Sequence, residues 1–376
     1  MTSDQNRTVF RTCPLCEATC GLEISVNSQE QIVRIRGDKD DVFSHGFICP
    51  KGSTLKQLHE DPDRLRKPMV KRNGVHVEVS WQEAWEEVER GLMGVIDRHG
   101  RGALSAYLGN PNAHNLGPQL FSGVMLRSMG TRNIFSASSV DQMPMHVAGG
   151  FMFGTAQHIP VPDIDHTDYL LMLGANPYMS NGSLCTAPDY PGRLQAIRAR
   201  GGKVVVVDPR RTKTAENSDE WVSIRPGTDG LFMAALANVM FAEGIAKVEP
   251  RIGSMMNGLE EFRTAVASFT PEKVTAATGV PAETITRIAR EMCAAPTCAV
   301  YGRIGVNTVE FGATNAWLVN ALSIITGNFD KRGGDMFTTP AAGSATTRGS
   351  AGKGKGFQTG RGHSRVSNKP EVLGEY

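Results

Sequence analysis

The sequence predicts an α/β protein: a small β-rich module carrying clustered cysteines, followed by α/β domains built on a parallel sheet. Three observations predict it. Four of the seven cysteines fall before residue 50, on either side of a stretch that alternates apolar and polar residues. Two apolar runs, Tyr169 to Pro177 and Lys203 to Thr212, end in polar turn residues and flank a helical stretch, which is the order of a βαβ unit. Helical and strand patterns keep alternating after them, over a chain of 376 residues whose composition, 40% hydrophobic and 21% charged, suits two or three globular domains.

The first element is the cysteine cluster. Cys13, Cys16 and Cys20 are spaced C-x2-C-x3-C, and Cys49 follows in "HGFICPKG". Four thiolates satisfy either a tetrahedral zinc or the four irons of a cubane cluster. Zinc knuckles come as two C-x2-C pairs, so three grouped cysteines with one remote favour the cluster, and simple buried thiols are the bland alternative. Between them, "GLEISVNSQEQIVRIRGD" alternates on both sides of Asn27 and Ser28 and reads as a β-hairpin. Pro50 and Lys51 follow the last cysteine directly, which sets an ammonium beside the metal; out of context Lys51 reads as a solvated surface lysine.

Next, "SWQEAWEEVERGLMGVIDRHG" opens with Ser80 three residues before Glu83, a capping box, and repeats apolar residues at helical spacing from Trp81 to Ile96. It predicts a core-facing helix ending near Gly100, with tryptophans that serve packing. The two apolar runs predict strands buried on both faces, and ligands of such sheets bind beyond the carboxyl ends of the strands. Asn176 and Asp208-Pro209-Arg210 are therefore in the binding position, and "IRPGTDG", Ile224 to Gly230, adds a glycine turn leading into a helix. No GxGxxG follows either run, which weakens a conventional dinucleotide reading. Thr270 with Pro271 predicts a helix start, "ETITRIAREMCAA" a helix, "TCAVYG" a strand, and a last helix runs from about Asn315 to Gly327. After Thr338 the chain turns rich in Gly, Ser, Thr and Lys and has too few apolar residues to build a core alone. Cys185, Cys293 and Cys298 have no site-like spacing and read as ordinary buried thiols.

The totals exclude some classes. Forty Lys and Arg against 38 Asp and Glu give a net charge of +2, too small to argue for nucleic acid or an anionic membrane as partner. The first ten residues contain no signal-peptide core and no twin arginine, and no later run reaches the roughly 18 apolar residues of a membrane span. The expectation is a cytoplasmic protein.

The cysteine motif, the CPKG, the strand ends "LGANP" and "VVVDPRRTKTA" and the loop "IRPGTDG" occur in this order. With them the chain resembles the molybdopterin oxidoreductases of the dimethyl sulfoxide reductase superfamily, which includes formate dehydrogenases and nitrate reductases. The resemblance runs from about Thr12 to the last residue. It implies a Rossmann-like parallel sheet, a 4Fe-4S cluster on Cys13, Cys16, Cys20 and Cys49, and Lys51 bridging between cluster and pterin. It also implies a bis(molybdopterin guanine dinucleotide) carrying molybdenum or tungsten, with one guanine dinucleotide held by Asn176, Asp208, Arg210, Thr212, Gly227 and Asp229. A carboxylate such as Asp229 can accept the two hydrogens on the guanine edge, and a glycine turn lets backbone approach phosphate. The metal ligand position corresponds to Asp141 in "SASSVDQMPMHVAGG". An oxygen donor suits a high-valent metal that handles oxygen atoms. Formate dehydrogenases resembling this chain place a sulfur or selenium ligand before a His, whereas Gln142 follows here; the departure favours oxo transfer of the nitrate reductase type over formate oxidation. His146 is near enough for a supporting role, although a lone His there is more often structural.

The implied organisation is a cluster module over residues 8–65, the first part of an α/β domain over 66–150, a pterin-guanine-dinucleotide domain over 151–325 and a loop-rich, incomplete return segment over 326–376. Catalytic chains of the family are roughly twice this length, and their C-terminal domain is absent here. The leading reading is an enzyme half whose remaining cofactor site comes from a second chain, acting on a small oxyanion or formate and exchanging electrons with a carrier protein. A cluster-bearing electron-transfer or structural subunit and an inactive fragment are the alternatives; retention of Lys51, Asp141, Asp208 and Asp229 together favours the enzyme.

Overall fold

The structure is a computed structural model that describes residues 6–156 and 158–338. The predicted return segment beyond Thr338 lies outside the described residues. Two compact units are present: one runs up to Ala137 and takes in Ala187–Asp189, and the other comprises Ser138–Thr186 and continues from Tyr190.

The first unit opens with an antiparallel three-stranded sheet, β1 (Arg7–Thr12), β2 (Gly21–Val26) and β3 (Ile32–Gly37), in the order β1-β2-β3. The predicted hairpin is β2–β3. Asn27 makes its turn by accepting, through Oδ1, the amides of Gln29 at 3.0 Å and Gln31 at 2.9 Å, an Asx turn that replaces strand pairing where the chain reverses. Short helices α1 (Pro50–Ser53) and α2 (Leu55–Glu60) follow the fourth cysteine, and a two-stranded ribbon, β4 (Met69–Arg72) with β5 (Val75–Glu78), turns at Asn73 and Gly74, both at positive φ.

Helix α3 (Trp81–His99) begins as the capping box predicts: the Ser80 hydroxyl accepts the Glu83 amide at 3.1 Å. Its apolar stripe differs from expectation. None of its residues is buried, and Trp81 and Trp85 are 66% and 61% exposed, stacked on each other with ring centroids 6.2 Å apart. The reason is local. The α/β part of this unit consists of β6 (Ala106–Leu108), α4 (Pro111–His114), α5 (Leu116–Met129) and β7 (Ile134–Ser136), and its parallel β6–β7 pair is too narrow a sheet to cover a helix of this length.

The second unit begins with α6 (Ser138–Asp141), α7 (Met143–Phe153) and β8 (Val161–Pro162), and is organised by a fully parallel sheet. Strands β9 (Tyr169–Leu173), β10 (Lys203–Val207), β11 (Glu220–Val222) and β12 (Cys298–Gly302) stand in the order β11-β10-β9-β12. Every residue of β9 and β12 is buried, as the continuous apolar runs require of strands covered on both faces. Helices α8 (Pro177–Ser180), α9 (Tyr190–Ala199) and α10 (Lys213–Glu216) occupy the connections around β10. After β11 come α11 (Asp229–Ala242), α12 (Pro250–Gly253), α13 (Leu259–Val266), α14 (Pro271–Thr278) and α15 (Ala282–Ala294); α16 (Gly312–Ile325) and β13 (Asp335–Met336) follow β12. Helix α16 starts three residues before the predicted Asn315, because Gly312 packs against the Asn307 carbonyl where a Cβ would not fit.

The core joins β9, β10 and β12 to α11, α15 and α16, with Leu171, Val205, Phe232, Ile288 and Leu322 fully buried. Removing any one large aliphatic side chain here costs about 2–5 kcal/mol. The amino-terminal edge of the sheet is tied by ions. Tyr169 Oη donates to Glu291 at 2.9 Å, Lys203 Nζ reaches Glu291 at 2.7 Å and Glu220 at 3.0 Å, and Arg287 bonds both carboxylates. With that edge pinned, the opposite edge is where loops can diversify.

Candidate functional site

Residues singled out in the sequence gather in two places, one in each unit. In the first, Cys13 and Cys20 are buried beside Ala18 and Leu22, and Cys16 and Cys49 are half-buried. The Cys13 amide donates to the Cys20 carbonyl at 2.8 Å, which closes the loop holding the three grouped cysteines. Thr19 adopts φ 45°, and Cys49 sits at the amino end of α1. Burial pushes the Cys20 thiol up to about 11, and Cys13, Cys16 and Cys49 add repulsion between thiolates. Burial also raises Cys13, against an opposing pull from Lys51. Cys20 thus senses the other three thiols, and Lys51, itself exposed, acts on Cys13. Among the described residues no three His, Cys, Asp or Glu side chains are arranged to hold a single metal ion. A cubane needs no such convergence, since each iron takes one thiolate, so the donor set fits a cluster.

In the second unit the four parallel strands end on one edge, and each contributes to the site there. Asn176 follows β9, half-buried, its Oδ1 accepting the Thr214 hydroxyl at 2.7 Å. Asp208 follows β10 and is 9% exposed; its Oδ1 accepts the Arg210 amide at 2.8 Å. Burial raises the Asp208 carboxyl, opposed by the Arg210 amide and guanidinium. Arg210 is exposed at the rim. Thr212 is buried and caps α10 by accepting the Ala215 amide at 3.2 Å, so a helix cap accounts for its hydroxyl acceptor. Beyond β11, Gly227 has φ +79° and open space where a Cβ would stand, and Asp229 begins α11 almost fully buried. Burial, reinforced by the Asp208 charge, pushes the Asp229 carboxyl up to about 6. Asp208 is offset by Arg210, whereas the buried Asp229 carboxyl feels the Asp208 charge and can take hydrogen-bond donors from a ligand.

The structure brings Asp141 to the end of β12. It closes α6, and its main-chain carbonyl accepts the Arg303 guanidinium and the Asn307 amide, the latter at 3.1 Å. Asp141 Oδ1 and Asn307 Oδ1 are both buried without a hydrogen-bond partner among the described residues. Sequence reasoning missed Arg303 and Asn307; the signal available was their place just beyond a strand, the same rule that found Asn176 and Asp208. His146 donates through Nδ1 to the Ala156 carbonyl at 2.6 Å, a structural tie. Burial pushes the thiols of Cys185 and Cys293 up to about 12 and about 11 and raises that of Cys298, as inert core thiols. A cavity of about 980 Å³ elsewhere in this unit, lined by Phe153, Met255, Phe262 and Trp317, includes none of the strand-end residues.

Comparison with known proteins agrees with this geometry. The chain matches the family model of molybdopterin oxidoreductases over residues 64–371 and that of the molybdopterin oxidoreductase Fe4S4 domain over residues 7–60. It belongs to the molybdopterin oxidoreductase family. Among its relatives, an F420-dependent formate dehydrogenase subunit alpha of Methanocaldococcus jannaschii is 28% identical, covering 97% of this chain and 52% of that protein. A nitrate reductase of Symbiobacterium thermophilum is 28% identical over 89% of this chain and 45% of its own length. The fold is shared with acetylene hydratase from Pelobacter acetylenicus, with a TM-score of 0.75 and 21% identity over 88% of this chain and 45% of that one. The chain thus spans about half the length of the relatives it matches. The family's cofactors are molybdopterin and a 4Fe-4S cluster, and the unpartnered oxygens of Asp141 and Asn307, the paired carboxylates and the four thiols fit them. No helix among the described residues is long and apolar enough to cross a membrane.

Proposed function

We propose that this chain is the cofactor-binding part of a molybdenum or tungsten oxidoreductase that carries out two-electron oxo transfer of the nitrate reductase type. The observation that carries the reading is Asp141: a carboxylate oxygen, buried and without a partner among the described residues, is offered at the strand end, and Gln142 rather than His follows it. When bound, the metal pterin supplies the two-electron centre and the cluster a one-electron relay. Asp141 would ligate the metal, a hard donor for a high oxidation state. Asp208 and Asp229 would accept guanine N–H groups, and Asp229 would then be held ionised by the hydrogen bonds it receives. Gly227 admits backbone to a phosphate and Arg210 brings positive charge to the same rim. Asn176 is oriented by Thr214, and Thr212 fixes the start of α10 beside them. Cys13, Cys16, Cys20 and Cys49 would hold the cluster, with Lys51 hydrogen-bonding toward the pterin.

A guanine dinucleotide on each of two pterins needs more protein than these residues provide, so polypeptide beyond them, in the same or a second chain, completes the site. An electron-carrier protein is the redox partner, the substrate a small oxyanion, and the compartment the cytoplasm. Formate oxidation is the second reading, favoured by the similarity to the formate dehydrogenase subunit over 97% of this chain. The test is iron, molybdenum and tungsten content per chain on protein purified without oxygen, followed by viologen-coupled assays with oxyanions and with formate. About four irons and one molybdenum or tungsten per chain, with turnover of an oxyanion, supports the proposal. Turnover of formate alone selects the second reading, and iron without either metal leaves a cluster carrier.

A further inference from the structure

Arg303 follows β12 directly and is 3% exposed. Its guanidinium joins two separate stretches of the chain: Nη1 donates to the Asp141 carbonyl and lies 3.6 Å from Met145 Sδ, and Nε donates to Ser183 Oγ at 2.9 Å. Asn307, also 3% exposed, sends its amide to the same carbonyl at 3.1 Å. Two side chains from the β12 loop thus grip a single main-chain oxygen, and the residue they grip presents a buried carboxylate oxygen with no partner among the described residues. A helix end can be capped by water or a surface lysine. Burying a guanidinium to do so is expensive, and the geometry has two consequences that a plain cap lacks. With its carbonyl fixed by two donors, Asp141 has one main-chain orientation and its carboxylate a restricted sweep. The guanidinium also brings a buried positive charge to the main chain of the residue that bears the carboxylate.

We propose that Arg303, aided by Asn307, is a positioning residue that sets both the direction and the donor strength of the Asp141 carboxylate toward the metal. This rests on the reading of Asp141 as the metal ligand. Groups beyond a metal's direct ligands orient those ligands and tune the metal's potential. A positive charge close to the site favours the reduced metal, so its removal lowers the midpoint.

The test uses the anaerobically purified holoenzyme with Arg303→Met, Arg303→Lys and Asn307→Ala, and Asp141→Ala as control. Iron and molybdenum or tungsten are counted, and the electron paramagnetic resonance of the pentavalent metal is followed through a dye-mediated redox titration. Arg303→Met keeps its metals, changes the g values and shifts the midpoint to lower potential. Arg303→Lys changes the g values with a smaller midpoint shift, since the charge remains. Asn307→Ala changes the g values with little midpoint shift, because no charge is lost; if Arg303→Met does not fold, these last two decide. Wild-type spectra and midpoints in metal-replete Arg303 and Asn307 variants overturn the proposal while Asp141→Ala alters the spectrum. Loss of the metal in all three also overturns it, as the loop would then be structural support only. An Asp141→Ala spectrum identical to wild type overturns the ligand reading itself, and this inference with it.

Discussion

Asp229 gives the sharpest quantitative expectation. In the cofactor-free chain its carboxyl is pushed from 3.8 up to about 6 by burial, with the Asp208 charge adding to it. The native state therefore holds a proton that the unfolded state has released, and stability falls as pH rises between those two values. Below 3.8 both states are protonated and the effect vanishes; above about 6 it is fully expressed. That rise corresponds to about 3 kcal/mol. Asp229→Asn removes the titration, so the variant gains on the wild type by about 3 kcal/mol between pH 4 and pH 8. Reading the change with pH cancels any fixed difference between amide and acid. Urea denaturation of both proteins at several pH values across this range measures it. A wild-type-to-variant difference that is the same at pH 4 and pH 8, or that moves the other way, would refute the reasoning. The same substitution should cost guanine recognition: binding of GDP, used as a probe, strengthens with pH through about 6 in the wild type and is weak and flat in Asp229→Asn.

Three further outcomes are expected. Cys20→Ser lowers iron content and bleaches the cluster absorbance, whereas Cys298→Ala, in the core strand β12, leaves the iron count unchanged. Asp141→Ala abolishes turnover but retains about four irons per chain by metal analysis; iron loss or full turnover would count against the assignment. Gly174→Ala is destabilising by about 2–4 kcal/mol in a thermal or urea melt, because Gly174 has φ +58° and its added Cβ would stand 2.9 Å from the Gly305 Cα.

The two apolar runs at Tyr169 and Lys203 were legible as strands because burial on both faces leaves no polar position to alternate with, and from them the positions of Asn176 and Asp208 followed. The hairpin at Asn27, the Ser80 cap and the Thr270 cap were legible because each is a local bond between neighbours in sequence. What was hidden depends on distant partners. Arg303 in "YGRIG" reads as an ordinary charge after a strand, and only the arrival of Asp141, 162 residues earlier, makes it buried. The stripe on α3 predicted a covered helix, since periodicity reports an apolar face and not what lies opposite it. Thr212, which the resemblance marked as a cofactor contact, also caps a helix through its hydroxyl oxygen, a second role the motif did not reveal.

The strand order reverses at β9, which lies between β10 on one side and β12 on the other. Neighbouring strands are about 4.8 Å apart, so the loops bearing Asp208 and Arg303 are anchored roughly 10 Å from each other whatever their own lengths. The sheet acts as a ruler. Loops can grow or shrink through evolution and still meet a ligand of fixed span, because the distance is written in hydrogen bonds between strands and not in the loops. Long, thin ligands with chemically different ends suit such an edge, and a compact one could engage only one end of it at a time.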